Sequence, residues 1–149
     1  MLSGDLRDFM NGKTYAYLDI AVQPAAGALL LDPRPAFAFR GDGTGLLFAN
    51  AAGVAFSGEP DMGALLARRF GADSPLARQL ARLAKQLSAD HDRLEILRFN
   101  FGVRQVALSA GCRRVALPGG GNAVLAVGAV PAPRESLSTR AERLADAIA

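Results

Sequence analysis

The sequence predicts an α+β fold built on a five-stranded antiparallel sheet, and three observations lead there. Two short apolar runs, Ala36–Arg40 and Leu46–Ala49, flank the glycine-rich stretch Gly41-Asp42-Gly43-Thr44-Gly45. Three longer strand-like segments follow much later, at Leu94–Phe101, Arg104–Leu117 and Ala123–Val130. Helix signals fill the space between, the clearest over Pro75–Leu87. Short connections within each strand group favour antiparallel hairpins.

Composition sets the outer bounds. The chain has 149 residues, 50% of them hydrophobic and 21% charged, which suits one packed domain with flanks. Trp is absent and aromatics make up 7%, so Leu, Val and Ala must fill much of the core. Seventeen basic against 14 acidic residues leave a net charge of +3. So small an excess gives no reason to expect a nucleic-acid partner. Cys112 is the single cysteine, which excludes an intrachain disulfide and a cysteine-based zinc site and fits a reducing, cytoplasmic setting. The longest apolar window, Ile20–Leu31, is interrupted by Gln23, Pro24 and Gly27 and is too short to span a membrane. The start MLSGDLRDF lacks the basic character of a signal peptide.

In chain order, Met1–Met10 predicts a short helix with Leu2, Leu6, Phe9 and Met10 on one face. Tyr15–Leu31 reads as an extended piece broken at Pro24, with Ala25–Leu31 open to helix or strand. Residues 1–34 are therefore expected to be an N-terminal flank, packed on the domain or serving as a dimerisation segment. Asp32-Pro33-Arg34-Pro35 forms a rigid boundary, since each proline fixes its φ and restricts its predecessor. The main domain is expected over 35–130.

Asn50 opens a helix of small residues that Gly58 stops. Asp61 caps a helix expected over Met62–Phe70, closed by Gly71. Ser74 caps the next, with Pro75 at its first position, a favoured pairing. Leu76, Leu80, Leu83 and Leu87 make its apolar stripe, and Arg78, Arg82 and Lys85 a solvated basic one. In Leu94–Phe101 the expected core residues are Ile96, Phe99 and Phe101, with Leu97 breaking the alternation. In Arg104–Leu117, Val106, Leu108, Ala110 and Cys112 share one face, and Gly111 marks a possible bulge. Pro118–Asn122 is a turn. After Pro131-Ala132-Pro133, Leu137, Ala141, Leu144 and Ile148 follow a heptad-like seam, so 131–149 is expected to be a linker and the start of a signalling helix.

The order of elements, with Gly41-Asp42-Gly43 and Leu46-Leu47-Phe48-Ala49-Asn50-Ala51-Ala52, resembles the PAS family of sensory domains over roughly Pro35–Val130. In that family a strand, a Gly/Asp turn and a second strand lead to an Asn that opens the first helix. The resemblance implies helices on one face of the sheet, with flanking N- and C-terminal helices. The Ala/Arg-rich style is also similar to N-terminal regions of alphaproteobacterial PAS-containing sensor histidine kinases. It implies a sensory and dimerisation domain, the input region of a two-component kinase, paired as a homodimer through its flanking helices. A ligand-free protein–protein interaction module is the alternative. Ligand-pocket or core candidates are Phe37, Phe39, Phe48, Leu66, Leu80, Ile96, Phe99, Leu108 and Leu125. Dimer or signalling-helix candidates are Leu137, Ala141, Leu144 and Ile148.

No catalytic set is expected, because one His with no nucleophile elbow cannot build a triad and no kinase catalytic motif is present. No cofactor is expected either. The helix Pro75–Leu87 lacks the His that haem-binding relatives use, and Asn50 is followed by Ala51 rather than the reactive Cys of flavin photosensors. His91 between Asp90 and Asp92 reads as a solvated loop, with metal binding the sharper alternative. Cys112 reads as a small buried hydrophobe, with redox sensing the sharper alternative.

Overall fold

The computed structural model describes residues 20–101 and 104–130. The expected helix at Met1–Met10 and the seam Leu137, Ala141, Leu144, Ile148 lie outside the described residues. The described elements are a short helix α1 (Pro24–Gly27), strands β1 (Ala36–Arg40) and β2 (Leu46–Ala49), helices α2 (Ala51–Ser57), α3 (Met62–Ala67) and α4 (Pro75–Gln86), then strands β3 (Arg93–Phe101), β4 (Arg104–Ala116) and β5 (Asn122–Gly128). The strands form one sheet in the order β2-β1-β5-β4-β3. Every neighbouring pair is antiparallel, so β1 and β5, from opposite ends of the domain, meet at its centre.

Local rules set most boundaries. Asp42 Oδ1 accepts from Thr44 N at 2.9 Å and from Thr44 Oγ1 at 2.7 Å, closing the β1–β2 turn. Those bonds hold the Asp42 carboxyl below its ordinary range. Gly43 has φ 75°, and a Cβ there would sit 2.4 Å from Ala77 O, so the turn needs glycine both for its conformation and for its approach to α4. Asn50, Asp61 and Ser74 each accept from the backbone N–H three residues on, at 2.7, 2.8 and 3.2 Å, as helix N-caps do. Gly58, at φ 76°, ends α2 in the left-handed region.

The inner face of the sheet carries Phe37, Phe39, Leu97, Phe99, Phe101, Leu108, Ala110, Cys112, Val124 and Ala126, packed against Leu65 and the α4 stripe of Leu76, Leu80 and Leu83. Phe99 is the hub of its rings, with centroids 5.2 Å from Phe101, 5.5 Å from Phe37, 5.8 Å from Phe39 and 6.0 Å from Phe56. The opposite face is covered over its β2-β1-β5 half by Ile20, Ala26 and Leu29, which pack on Ala36, Ala38, Leu47, Phe48, Ala123 and Leu125. The described part of the N-terminal flank thus folds back onto its own sheet.

Three expectations are corrected. Ile96 is 52% exposed on the outer face, whereas Leu97 is fully buried and in phase with Phe99 and Phe101. Pairing of Leu97 with Leu108 and of Ile96 with Ser109 sets that phase. Phe48 and Leu125 are buried, as core residues, but in the outer cluster and not beside Phe37. Gly111 holds a regular register with Leu94 and Val127; the irregularity lies between β1 and β2, where Leu47 is the extra residue. Finally, α3 stops at Ala67 instead of Phe70, because Phe70 N donates to Thr44 O at 2.8 Å and Arg69 bridges to Gly45. Tertiary pairing there overrides helix propensity.

Each sheet edge meets a neighbouring segment at one point. Gln79 Nε2 of α4 donates to Ile96 O on β3 at 3.0 Å. The 69–70 segment pairs with Thr44 and Gly45, just ahead of β2, at the other edge.

Candidate functional site

Two features stand out: a groove beside the β3–β4 hairpin, lined by residues of both faces of the sheet, and a buried asparagine that fastens the flank. The groove has a volume of about 690 Å³ and lies between the α3–α4 connection, the start of α4 and the β3–β4 hairpin. Its apolar wall comprises Phe70, Leu76, Phe99 and Val106. Its polar lining includes Arg69, Ser74, Arg98, Asn100 and Gln105. The α3–α4 connection begins directly after Ala67, where α3 ends. Arg68, beyond that end, pairs with Glu59 and lies over the Phe101 ring at 5.6 Å. Arg69 Nη1 donates to Leu66 O and Arg68 O, each at 2.9 Å, in place of the backbone donors the helix lacks.

Of the residues proposed from sequence as pocket or core, Phe99 lines this groove. Phe37, Phe39, Leu80 and Leu108 are packed inside the inner cluster, and Leu66 is partly buried against it. Phe48 and Leu125 are on the far side, and Ile96 faces solvent. Arg69 and Arg98 were not singled out by sequence. Neither forms an ion pair among the described residues, and that lack of a carboxylate partner is a property of the folded arrangement.

Asn50 is 1% exposed and joins three parts of the chain. Its Oδ1 accepts from Ala36 N at 2.9 Å and Gly53 N at 2.7 Å. Its Nδ2 donates to Leu29 O at 2.7 Å and Arg34 O at 2.9 Å, with a longer contact of 3.4 Å to Asp32 O. One side chain therefore caps α2, anchors β1 and pins the incoming flank. The amide orientation is the one that satisfies all these partners. Beside it, Arg34 donates from its backbone N and its guanidinium to Asp32 at 2.8–3.0 Å. Those bonds lower the Asp32 carboxyl to about 2 and raise Arg34.

His91 is exposed in the α4–β3 loop, and neighbouring Asp92 is taken up by Arg113 Nε at 2.6 Å. Among the described residues no three His, Cys, Asp or Glu side chains converge as metal ligands would. Cys112 is fully buried on the inner face, where desolvation, with Glu95 and Asp92 adding, pushes its thiol up to about 12. Among the described residues no helix is long and apolar enough to cross a membrane.

No family model matches the chain, and no curated protein does. Among solved structures it is similar to the PAS domain of an HTR-like protein from Haloarcula marismortui, with 22% identity and a TM-score of 0.49 over 67% of this chain and 89% of that one. It is also similar to the PAS domain of Bordetella pertussis BvgS, with 18% identity and a TM-score of 0.46 over 81% of this chain and 93% of that one. The fold is a PAS-like α+β fold on its own evidence: the five-stranded antiparallel sheet, the intervening helices and the Asn50-capped helix that opens them.

Proposed function

We propose that this chain is the sensory and dimerisation module of a signal-transduction protein, the input region of a two-component sensor histidine kinase. It acts in the cytoplasm, as a homodimer through its flanking helices, with a kinase domain as its downstream partner. The chain itself performs no catalysis. The observation that carries the reading is the Asn50 node, because it makes the docking of the flank depend on the same hydrogen-bonded centre as β1 and α2. A ligand that alters packing on the inner face would bias the flank between two arrangements, a population shift rather than a new fold. The close ring contacts of Phe99 and the exposed Leu94 and Ile96, on the half of the outer face that the described flank does not cover, favour the second reading, a ligand-free protein-interaction module.

Two measurements test the proposal. Sedimentation equilibrium of the full chain should show a dimer, weakened at least tenfold by Leu144→Glu; a monomer at all concentrations refutes the dimer. The coding sequence after Ala149 should continue in frame into a kinase domain; a stop codon there refutes the input-region assignment.

A further inference from the structure

We infer that a second copy of this chain docks on the outer side of the sheet, the two copies meeting through Leu94 and Ile96 of β3 and through the exposed side of the flank at Val22, Leu30 and Leu31. This inference rests on the homodimer reading and names the surface that forms the dimer. The first support is where apolar surface is left in water. The exposed large hydrophobic residues among the described ones are Val22, Leu30, Leu31, Leu94, Ile96 and Val130, and none of them is on α2, α3 or α4. On the uncovered half of the outer face, Leu94 stands beside Gly111 and Ile96 beside Ser109. β3 is therefore a ridge of large side chains, and β4 next to it is a low strip of Ala107 and Ser109, closed at Gly111 by the Asp92 side chain. A ridge beside a hollow is self-complementary across a twofold axis, since the ridge of each copy can enter the hollow of the other. β3 and β4 pair over nine positions, about 10 Å by 30 Å of face. With a similar area over the flank, the outer side approaches the roughly 800 Å² that each partner of a standard interface buries.

The second support is charge. In a twofold dimer each surface meets its own copy, so an unpaired cluster of one sign faces its like. On the outer side most charges are neutralised within the chain: Asp32 pairs with Arg34 where the flank joins β1, and Asp92 pairs with Arg113 close to Leu94. Arg98, two residues beyond Ile96 towards the hairpin, has no ion pair among the described residues. The helical side is the opposite case. Arg78, Arg82 and Lys85 are exposed on α4, which carries no acid, and none of the three has an ion pair among the described residues. Their combined charge equals the net +3 of the whole chain. Pairing through that side would set two basic stripes against each other.

The test is sedimentation equilibrium of the full chain beside its Ile96→Lys, Leu31→Lys, Arg82→Glu and Leu144→Glu variants, with circular dichroism confirming each fold. Leu31 is 94% and Ile96 52% exposed within one chain, so a lysine at either is tolerated by the monomer and felt in the interface. Ile96→Lys and Leu31→Lys should each weaken the dimer at least fivefold, and Arg82→Glu should change it less than twofold. A second readout needs no substitution: dilution of the isotope-labelled wild-type chain should move the amide NMR signals of Leu31, Leu94 and Ile96 and leave those of Arg78, Arg82 and Lys85 in place. The inference is overturned if Ile96→Lys and Leu31→Lys weaken the dimer less than fivefold, or if dilution moves the α4 amides instead. Its failure is separable from that of the homodimer reading. A dimer that Leu144→Glu dissociates and Ile96→Lys does not removes the sheet surface and keeps the dimer. A chain that is monomeric at all concentrations removes both.

Discussion

Replacing Asn50 gives the sharpest test of how the flank is held. Asn50→Ala deletes four hydrogen bonds of 2.7–2.9 Å, two accepted by Oδ1 and two donated by Nδ2. At a net of about 1 kcal/mol for each bond, the expected loss is about 3–5 kcal/mol, a large share of the 5–15 kcal/mol typical of a domain. That corresponds to a fall in Tm of roughly 10–20 °C. Asn50→Asp separates the two ends of the amide. It keeps the cap to Gly53 and the acceptor for Ala36 but sets a buried carboxylate against the carbonyls of Leu29 and Arg34. Burial and those carbonyls raise its folded-state pKa above the ordinary carboxylate value. The folded state then binds the proton more tightly than the unfolded one. Its stability is therefore highest at low pH and lost as pH rises through the raised value. Urea unfolding followed by circular dichroism should place Asn50→Asp near Asn50→Ala at pH 8 and clearly above it at pH 5. Wild-type stability of Asn50→Asp at pH 8, or a loss under about 1 kcal/mol for Asn50→Ala, would refute the assignment of the flank to this node.

Two further outcomes follow from burial. Leu97→Ala should cost about 2–5 kcal/mol and Ile96→Ala within about 0.5 kcal/mol by the same unfolding assay, since Leu97 is fully buried and Ile96 is 52% exposed; the reverse order would overturn the β3 register. Cys112 should resist a thiol reagent at pH 8 until the protein is unfolded in urea. Because its folded-state pKa is raised from 9.0 to about 12, the stability it contributes is full below pH 9 and lost between there and about 12. Prompt labelling of the folded protein would show that the thiol is accessible.

What the sequence made legible was what local chemistry decides. Asn50, Asp61 and Ser74 are caps because their side chains reach a backbone donor three residues away, and that relation needs no tertiary knowledge. The phase of β3 was not legible, because Leu94, Ile96 and Leu97 are all apolar and the choice between them is made by pairing with β4. The end of α3 was misplaced for a similar reason: the partner that takes Phe70 N is Thr44, 26 residues earlier. The groove is assembled from the α3–α4 connection, α4, β3 and β4, so no single stretch announces it. The cap of Asn50 could be read from its neighbours, but its donation to Leu29 and Arg34 could not, since those carbonyls arrive only when the flank folds back.

The guarded sheet edges bear on how copies of this chain can meet. Open edge strands are templates that recruit further strands and grow without limit. Here the Gln79 amide occupies one carbonyl of β3, and the 69–70 segment pairs with Thr44 and Gly45 just ahead of β2. A strand adding to β3 would have to displace the Gln79 amide from Ile96 O, and one adding to β2 would meet the 69–70 segment at Thr44 and Gly45.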